Sequence, residues 1–214
     1  FLSERGLKVA VLTRGYGREG GGGAVTELDA TKYGDEPVLI KKRAAYVDVI
    51  VGSNRYENGL TVTPDVYLLD DGFQHLQLHR DLDLVIDVPD PAFSREGRSA
   101  LRDADIVIPR RLRLELPAAI EGKRVFAFAG LADNEQFFAS LGANVVGTKS
   151  FRDHHRYTAD DLAAIKEAAR NANAEAIVTT EKDAVKIADD AIIPVPAAFV
   201  IEPAVLERIL AAIR

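Results

Sequence analysis

The stretch VYLLDDGFQH, residues 66–75, is an apolar run that ends in two adjacent acids. A short apolar run of this kind is typical of a buried strand in a parallel sheet. Ligands of open α/β sheets bind outside the carboxyl ends of the strands, which is where Asp70 and Asp71 would lie. The stretch therefore predicts an α/β fold with a site at this sheet edge, although a solvated acidic turn is the simpler explanation of the pattern alone.

Short apolar runs recur on both sides of this stretch. They predict strands at residues 7–12, 47–51, 83–87 and 104–108 and an amphipathic helix at about 37–44. Strands separated by helices or loops of this size indicate a mainly parallel sheet with helices on both faces. Residues 14–23, which contain RGYGR and four consecutive glycines, are predicted to form a flexible loop after the first strand.

A second α/β pattern follows Arg110, Arg111, Arg113 and Pro117, which together are typical of a linker. It predicts strands at 125–129, 144–146 and 176–180 and helices at 135–141, 158–171 and from about 203 onward. Thr158, followed three residues later by an acid, is typical of a helix capping box. We therefore predict two domains, residues 1–115 and a smaller α/β domain at residues 122–214.

The composition excludes several classes of function. With 214 residues, 47% of them hydrophobic and 28% charged, the chain is an ordinary globular protein. The absence of Cys rules out disulfides, Cys-zinc sites, iron–sulfur clusters and cysteine nucleophiles. The net charge of −6 argues against broad binding of nucleic acid. The sequence contains no run of about 18 apolar residues, so it predicts no membrane-spanning helix.

An apolar strand that ends in acids is also the form of a Walker B segment, whose acid holds Mg²⁺ beside nucleotide phosphates. The matching Walker A motif, G-x-x-x-x-G-K-[ST], does not occur in the chain. Residues 1–6 are typical of the end of a helix that stops at Gly6, and the chain contains no Met. We therefore expect the chain to begin inside a domain, with the Walker A motif upstream of Phe1.

Three polar positions in the first half are candidates for chemistry. Asp35 follows a glycine at a predicted helix start, where it can act as a base towards a hydroxyl or serve as the helix N-cap. Arg14 and Arg18 flank a Gly-Tyr-Gly turn at a strand end, where arginines bind phosphate or form surface ion pairs.

Two segments of the second half are further candidates. His154 and His155 are adjacent in a loop, where they can bind a metal, titrate near neutral pH or anchor the loop. No third ligand has zinc-like spacing nearby. Residues 179–183, TTEKD, join a strand to a helix, and this junction predicts either an anion site or an ordinary helix cap.

Taken in order, the motifs LTRGYGR, GDEP, LLDDGFQH, FAFAGLAD, FRDHHRYT and TTEKDAVK resemble the tetraacyldisaccharide 4'-kinase family of lipid A biosynthesis. The resemblance runs from Leu12 to about Lys186. It implies a P-loop-type kinase fold and transfer of the ATP γ-phosphate, with Mg²⁺, to the 4'-hydroxyl of a lipid A disaccharide 1-phosphate precursor. It also implies a peripheral protein at the cytoplasmic face of the bacterial inner membrane.

The resemblance assigns roles to individual residues. It gives Asp70 and Asp71 a role in Mg²⁺ binding and catalysis, makes Asp35 a candidate base, and makes His75, which closes the acidic motif, a further catalytic candidate. It implies substrate or phosphate binding, at the site rim or in the cleft between domains, for Arg14, Tyr16, Arg18, His154, His155, Glu181, Lys182 and Asp183.

Two departures from the family pattern qualify this assignment. Without a Walker A motif, we expect the chain as given to have little kinase activity. The segment 88–104 is shorter than is usual in the family, although Arg95, Arg98 and Arg102 remain there as candidates for contact with a substrate phosphate. A P-loop kinase with another acceptor and a non-catalytic binding relative remain as alternatives.

Overall fold

The computed structural model describes residues 1–87, 100–142 and 144–213, so the candidates Arg95 and Arg98 lie outside the described residues. The first half is built on a four-stranded sheet in the order β2-β3-β1-β4. Its strands are β1 (Val9–Thr13), β2 (Gly23–Ala24), β3 (Asp48–Val51) and β4 (Val66–Leu69). Strands β3, β1 and β4 are parallel, and β2 pairs antiparallel with β3. Part of the predicted glycine loop is therefore an edge strand.

Helices cover both faces of this sheet, as predicted. They are α1 (Ala30–Tyr33), α2 (Asp35–Arg43) and α3 (Arg55–Gly59), joined by the last helix of the chain, α8 (Pro203–Ile213). Val9 and Val11 of β1 pack into one cluster with Val38 of α2, and the apolar side of α8 packs on that cluster. Leu12 points to the other face, where α3 lies. All five residues of β1 are buried, which explains their continuous apolar run.

Two further strands form a separate parallel pair, β5 (Leu84–Asp87) with β6 (Ile106–Pro109). The short helix α4 (Ala100–Asp103) precedes β6. Among the described residues, β4 is paired on one side only, with β1. Apolar side chains of β4 and β5, including Tyr67, Leu68 and Ile86, are correspondingly exposed.

The second half contains a four-stranded, all-parallel sheet in the order β11-β10-β8-β9. Its strands are β8 (Val125–Ala129), β9 (Val145–Ser150), β10 (Ala176–Thr180) and β11 (Ile192–Val195), and its helices are α5 (Asn134–Ser140), α6 (Ala159–Asn171) and α7 (Glu181–Ala184). Side chains alternate along β8, so that Ala127 packs with Phe138 of α5 while Phe128 packs with Ile165 of α6. The predicted capping box of α6 is confirmed, because Thr158 and Asp161 exchange hydrogen bonds.

The linker interpretation of residues 110–113 was wrong in part. Strand β7 (Leu112–Leu114) begins there and pairs antiparallel with β12 (Ala197–Phe199). Three-residue strands are too short to produce a hydrophobic period, so the sequence pattern does not reveal them. The chain then returns to the first sheet through α8, and the division at residues 115–122 stays a prediction.

The described ranges contain no helix with both the length and the apolar character needed to cross a bilayer. The mainly parallel α/β fold that the sequence predicts is confirmed in both halves.

Candidate active site

The carboxyl edge of the first sheet carries Asp70 and Asp71, as predicted, at the end of β4. The Thr13 hydroxyl, at the end of the neighbouring β1, donates a hydrogen bond of 2.7 Å to Asp70 Oδ2. The backbone N–H of Asp70 continues the strand pairing by donating to the Leu12 carbonyl. Asp71 has a left-handed backbone, with φ of +51°, which ends the strand. The Asp70 carboxylate is therefore oriented by the adjacent strand.

A buried arginine that the sequence analysis missed shares this edge. Arg55 is only 3% exposed and donates from its guanidinium to the Gly52 carbonyl. Burial lowers the pKa of Arg55, and the charges of Asp70 and Asp71 partly offset this effect. Arg14 and Arg18 lower it further, so the charges of the RGYGR loop and of the two acids all act on this guanidinium. The sequence did offer one signal for Arg55, which is its position just after β3, at the same sheet edge as the other candidates.

His75 lies beside the same arginines. Burial lowers the pKa of His75, and the positive charges of Arg55, Arg80 and Arg14 lower it further. Arg80 donates 2.9 Å to the His75 carbonyl and forms an ion pair with Asp83. These contacts favour a neutral imidazole at the end of the acidic motif.

Asp35 is the first residue of α2 and is 5% exposed, whereas Gly34 is the N-cap. The N-cap alternative for Asp35 is therefore wrong. Its carboxylate accepts 2.9 Å from His154 Nδ1 and lies 3.7 Å from the Lys186 ammonium. Gly34 has a φ of +94°, and a Cβ there would lie 2.8 Å from the Tyr16 carbonyl. The RGYGR loop thus packs directly against the start of α2.

His154 connects this carboxylate to the second half of the chain. Its backbone is left-handed, with φ of +56°, and its ring packs on that of Tyr16 with centroids 5.0 Å apart. The opposite ring nitrogen, Nε2, lies 3.2 Å from the Lys182 ammonium. Desolvation raises the pKa of the neighbouring Glu36, an effect that Lys182 opposes.

The adjacent His155 points away from Asp35. It bonds to Asp161 Oδ2 at 3.0 Å and stacks on Phe151 with ring centroids 4.5 Å apart. The backbone N–H of Thr158, then His155 and the Thr158 hydroxyl, lower the pKa of Asp161 to about 2. This geometry supports the loop-anchor alternative for His155.

The TEKD segment is mostly engaged with the protein itself. Asp183 is fully buried, accepts from Gly130 N–H at 2.9 Å and from the Thr180 hydroxyl at 2.8 Å, and forms an ion pair with Lys186 at 2.7 Å. Thr180 caps α7 by accepting from the Asp183 N–H. Glu181 pairs with Arg43 of α2. The helix-cap alternative therefore describes this segment better than an open anion site does.

A cleft of about 430 Å³ opens beside Asp35. Tyr16, Asp35 and His154 line it together with Arg156 and Lys186. A smaller concavity of about 350 Å³ is formed by the RGYGR loop itself. A buried carboxylate that faces a cleft and is held by a histidine can accept a proton from a hydroxyl, and the nearby arginines can bind phosphate.

The two strand-end acids are suited to a hard divalent cation. Mg²⁺ usually binds proteins through one or two carboxylates and completes its shell with water and substrate phosphates. The described residues contain no group of three or more His, Asp or Glu side chains that could form a complete protein cage. Asp70 and Asp71 therefore fit a Mg²⁺ ion that is bound together with a phosphate. They do not fit a metal site built of protein ligands alone.

Comparisons with known proteins all point to one family. The sequence profile of the family "Tetraacyldisaccharide-1-P 4'-kinase" matches residues 1–116 and 110–214. The tetraacyldisaccharide 4'-kinase of Geobacter metallireducens is 36% identical, over 87% of this chain and 71% of the relative. That of Syntrophus aciditrophicus is 33% identical, over 93% of this chain and 72% of the relative. The crystal structure of LpxK from Aquifex aeolicus in complex with ATP superposes with a TM-score of 0.73 at 27% identity, covering 98% of this chain and 80% of that one.

Proposed function

This chain belongs to the tetraacyldisaccharide-1-P 4'-kinase family, and from that membership and the site geometry we propose that it transfers the γ-phosphate of ATP to the 4'-hydroxyl of a tetraacyldisaccharide 1-phosphate. The observation that carries the proposal is the buried Asp35 carboxylate, which His154 holds at 2.9 Å and which faces the cleft. A kinase acting on a hydroxyl needs one such group to receive the proton.

Asp35 acts as the base in this proposal. It accepts the proton of the 4'-hydroxyl while the hydroxyl oxygen forms a bond to the γ-phosphorus and the bond to the β-phosphate oxygen breaks, which releases ADP. His154 Nδ1 donates to the carboxylate and fixes its orientation. The Lys186 ammonium lies 3.7 Å from the same carboxylate.

Asp70 and Asp71 hold Mg²⁺ in this proposal, and the ion supplies charge neutralisation at the phosphates. Thr13 keeps the Asp70 carboxylate in its orientation. Arg14 and Arg18, exposed and half-buried respectively, offer guanidinium groups to the phosphate oxygens from the adjoining loop. Phosphoryl transfer depends mainly on positioning and charge stabilisation, which is what these groups supply.

The acceptor also implies where the protein works. A disaccharide with four acyl chains resides in a bilayer, because each buried methylene contributes about 0.8 kcal/mol to membrane binding. We therefore propose that the protein meets its acceptor peripherally, at the cytoplasmic face of the bacterial inner membrane, where ATP is present.

A phosphorylation assay with the full-length protein tests the proposal directly. We expect incubation with ATP, Mg²⁺ and a tetraacyldisaccharide 1-phosphate in mixed micelles to give a product with one additional phosphate, detected by mass spectrometry. An analogue that lacks the 4'-hydroxyl is the control and should remain unmodified. Phosphorylation of that analogue, or of neither compound, would contradict the assigned acceptor position.

A further inference from the structure

The Lys182 ammonium lies among three acceptors. His154 Nε2 and Asp153 Oδ1 are each 3.2 Å from its nitrogen, and Glu36 Oε1 is 3.5 Å away. The side chain is only 17% exposed. An ammonium group has three protons to donate and no capacity to accept, so the surroundings offer one acceptor for each proton.

These contacts discriminate between the protonation states of His154. A neutral imidazole has one N–H donor and one acceptor nitrogen. With the proton on Nδ1, the ring donates to Asp35 and accepts from Lys182, and both nitrogens are satisfied. With the proton on Nε2, an unprotonated Nδ1 would face a carboxylate and an N–H would face an ammonium, so both contacts would be lost.

The doubly protonated ring is also disfavoured. It would place a proton on Nε2 against the Lys182 ammonium at 3.2 Å. The carboxylate that would favour this proton, Asp153, lies farther away at 3.7 Å and already pairs with Lys182. The other neighbours are the Tyr16 ring, the Glu36 carboxylate, which pairs with Lys182, and Lys186, which contacts Asp35 rather than the imidazole.

We propose that Lys182 is a positioning residue that holds His154 as the neutral Nδ1–H tautomer and thereby orients the Asp35 carboxylate towards the acceptor hydroxyl. This assignment replaces the phosphate contact that the family resemblance implies for Lys182. Its catalytic consequence rests on the proposed function, because it assumes that Asp35 is the base. In that reaction the proton from the acceptor ends on the carboxylate, since His154 Nε2 is already occupied by the lysine.

Nitrogen NMR tests the tautomer without any assay of activity. The chain has four histidines, so a long-range ¹H–¹⁵N spectrum of histidine-labelled protein is simple, and His154→Gln identifies the His154 signals. At pH 7 we expect the shifts of a neutral Nδ1–H ring. In Lys182→Met we expect a rise in the population protonated at Nε2, where only Asp153 then remains. A neutral Nε2–H ring or an imidazolium in the unaltered protein would overturn the proposal, as would an unchanged spectrum in Lys182→Met.

Lys166→Met is a matched control for this experiment. Lys166 lies on α6, where it forms an ion pair with Asp189 at 2.5 Å. Its replacement by methionine is the same chemical change at another site. We expect the His154 signals to stay unchanged in this variant. An equal change there would show that the spectrum reports general loosening of the fold, and the role of Lys182 would be refuted.

Kinetics of the full-length protein separate positioning from phosphate binding. We expect Lys182→Met to lower kcat at least about tenfold with the KM for ATP unchanged, and Lys182→Arg to restore part of the loss. A raised KM for ATP with unchanged kcat would show that Lys182 binds phosphate, and would overturn the proposal. If the unaltered protein fails to phosphorylate the acceptor while the tautomer is as expected, the proposed function fails and the positioning of His154 stands.

Discussion

His154 Nδ1 lies 2.9 Å from Asp35 Oδ2, although 119 residues separate them in the chain. The base of the proposed reaction is therefore assembled from the two halves of the protein. Two arginines also join the halves: Arg156 donates 2.8 Å to the Gly17 carbonyl, and Arg43 donates 2.9 Å to the Ala197 carbonyl. Any change that moves one half relative to the other should therefore affect Asp35 before it affects either sheet.

Replacement of the base is the first prediction. We expect Asp35→Asn to lower kcat by about 10²- to 10⁴-fold, because an amide has the shape of the carboxylate but cannot accept the proton. The KM for ATP should change little, since Asp35 has no phosphate to contact in the proposal. The measurement is steady-state turnover of the full-length protein with the tetraacylated acceptor.

Asp29→Asn is the matched control for this variant. Asp29 lines the same cleft, where its carboxylate caps α1 by accepting from Thr31 and Lys32 N–H groups. Asparagine is an equally good N-cap, so both stability and turnover should remain near those of the unaltered protein. Near-normal turnover in Asp35→Asn, or an equal loss in Asp29→Asn, would show that Asp35 is not the base.

The second prediction concerns the orientation of Asp70. Thr13→Val removes the hydroxyl that donates 2.7 Å to Asp70 Oδ2, while it keeps the shape of a buried side chain. We expect the Mg²⁺ concentration for half-maximal activity to rise about tenfold, because the loss of one hydrogen bond to a charged group costs about 1.5 kcal/mol.

The measurement is activity against total Mg²⁺ at fixed ATP, and Thr179→Val is its control. Thr179 is also buried on a strand, and its hydroxyl donates 2.8 Å to the Phe128 carbonyl in the second sheet. Both valine variants should lose stability, but only Thr13→Val should need more Mg²⁺. The same Mg²⁺ dependence in the two variants would refute the role of Thr13.

A third prediction uses the pKa of Asp161, which is lowered to about 2 by hydrogen bonds from Thr158 and His155. A carboxyl group whose folded pKa is below its unfolded value of about 3.9 stabilises the fold above that value. This contribution is lost as the pH falls through about 4 towards 2. We therefore expect Asp161→Asn to lower the free energy of unfolding by about 1 kcal/mol at pH 6, with a difference that disappears near pH 2.

Urea unfolding between pH 2 and pH 6 measures this difference, and Asp160→Asn is the control. Asp160 is in the same first turn of α6 but lies outside the capping box. Its replacement should produce a smaller effect. A difference for Asp161→Asn that stays constant down to pH 2 would contradict the assigned pKa.

Local features of the fold could be predicted from the sequence because each depends on neighbouring residues. The run at 125–129 is buried on both faces of its sheet and is therefore continuously apolar. The cap at Thr158 is closed by Asp161, three residues away. Asp70 and Asp71 follow β4 directly, and the carboxyl ends of all parallel strands lie at the same edge of the sheet, so their place at that edge could be predicted.

Contacts between distant segments could not be predicted from these patterns. His154 and His155 are adjacent and chemically identical, but only the left-handed backbone of His154 directs its ring to Asp35 while His155 packs on Phe151. Arg55 is buried, and the charges of Arg14, Arg18 and the β4 acids act on it, only once the sheet has folded. The pairing of β7 with β12 is likewise a tertiary contact between two short segments.

The last prediction concerns the contact between Gly34 and the RGYGR loop. Gly34 has a φ of +94°, and a Cβ at this position would meet the Tyr16 carbonyl at 2.8 Å and Gly15 at 3.2 Å. Gly6 has a similar φ of +84°, but a Cβ there would meet nothing within 4 Å. Gly6, with ψ of 5°, is in the left-handed helical region, where alanine costs about 1 kcal/mol, whereas Gly34, with ψ of 156°, is in a region essentially restricted to glycine. Gly34→Ala therefore strains the backbone more, and it must also displace the loop that packs on the start of α2.

We therefore expect Gly6→Ala to lower stability by about 1 kcal/mol and to leave turnover unchanged. Gly34→Ala should lower stability further and reduce kcat, because the start of α2 and the Tyr16 ring on His154 can no longer keep their positions together. Thermal unfolding and turnover of the two variants, measured side by side, separate a general loss of stability from an effect on the site. Equal turnover in the two variants would show that the loop can yield without moving Asp35, and that the close packing at Gly34 is not required for the reaction.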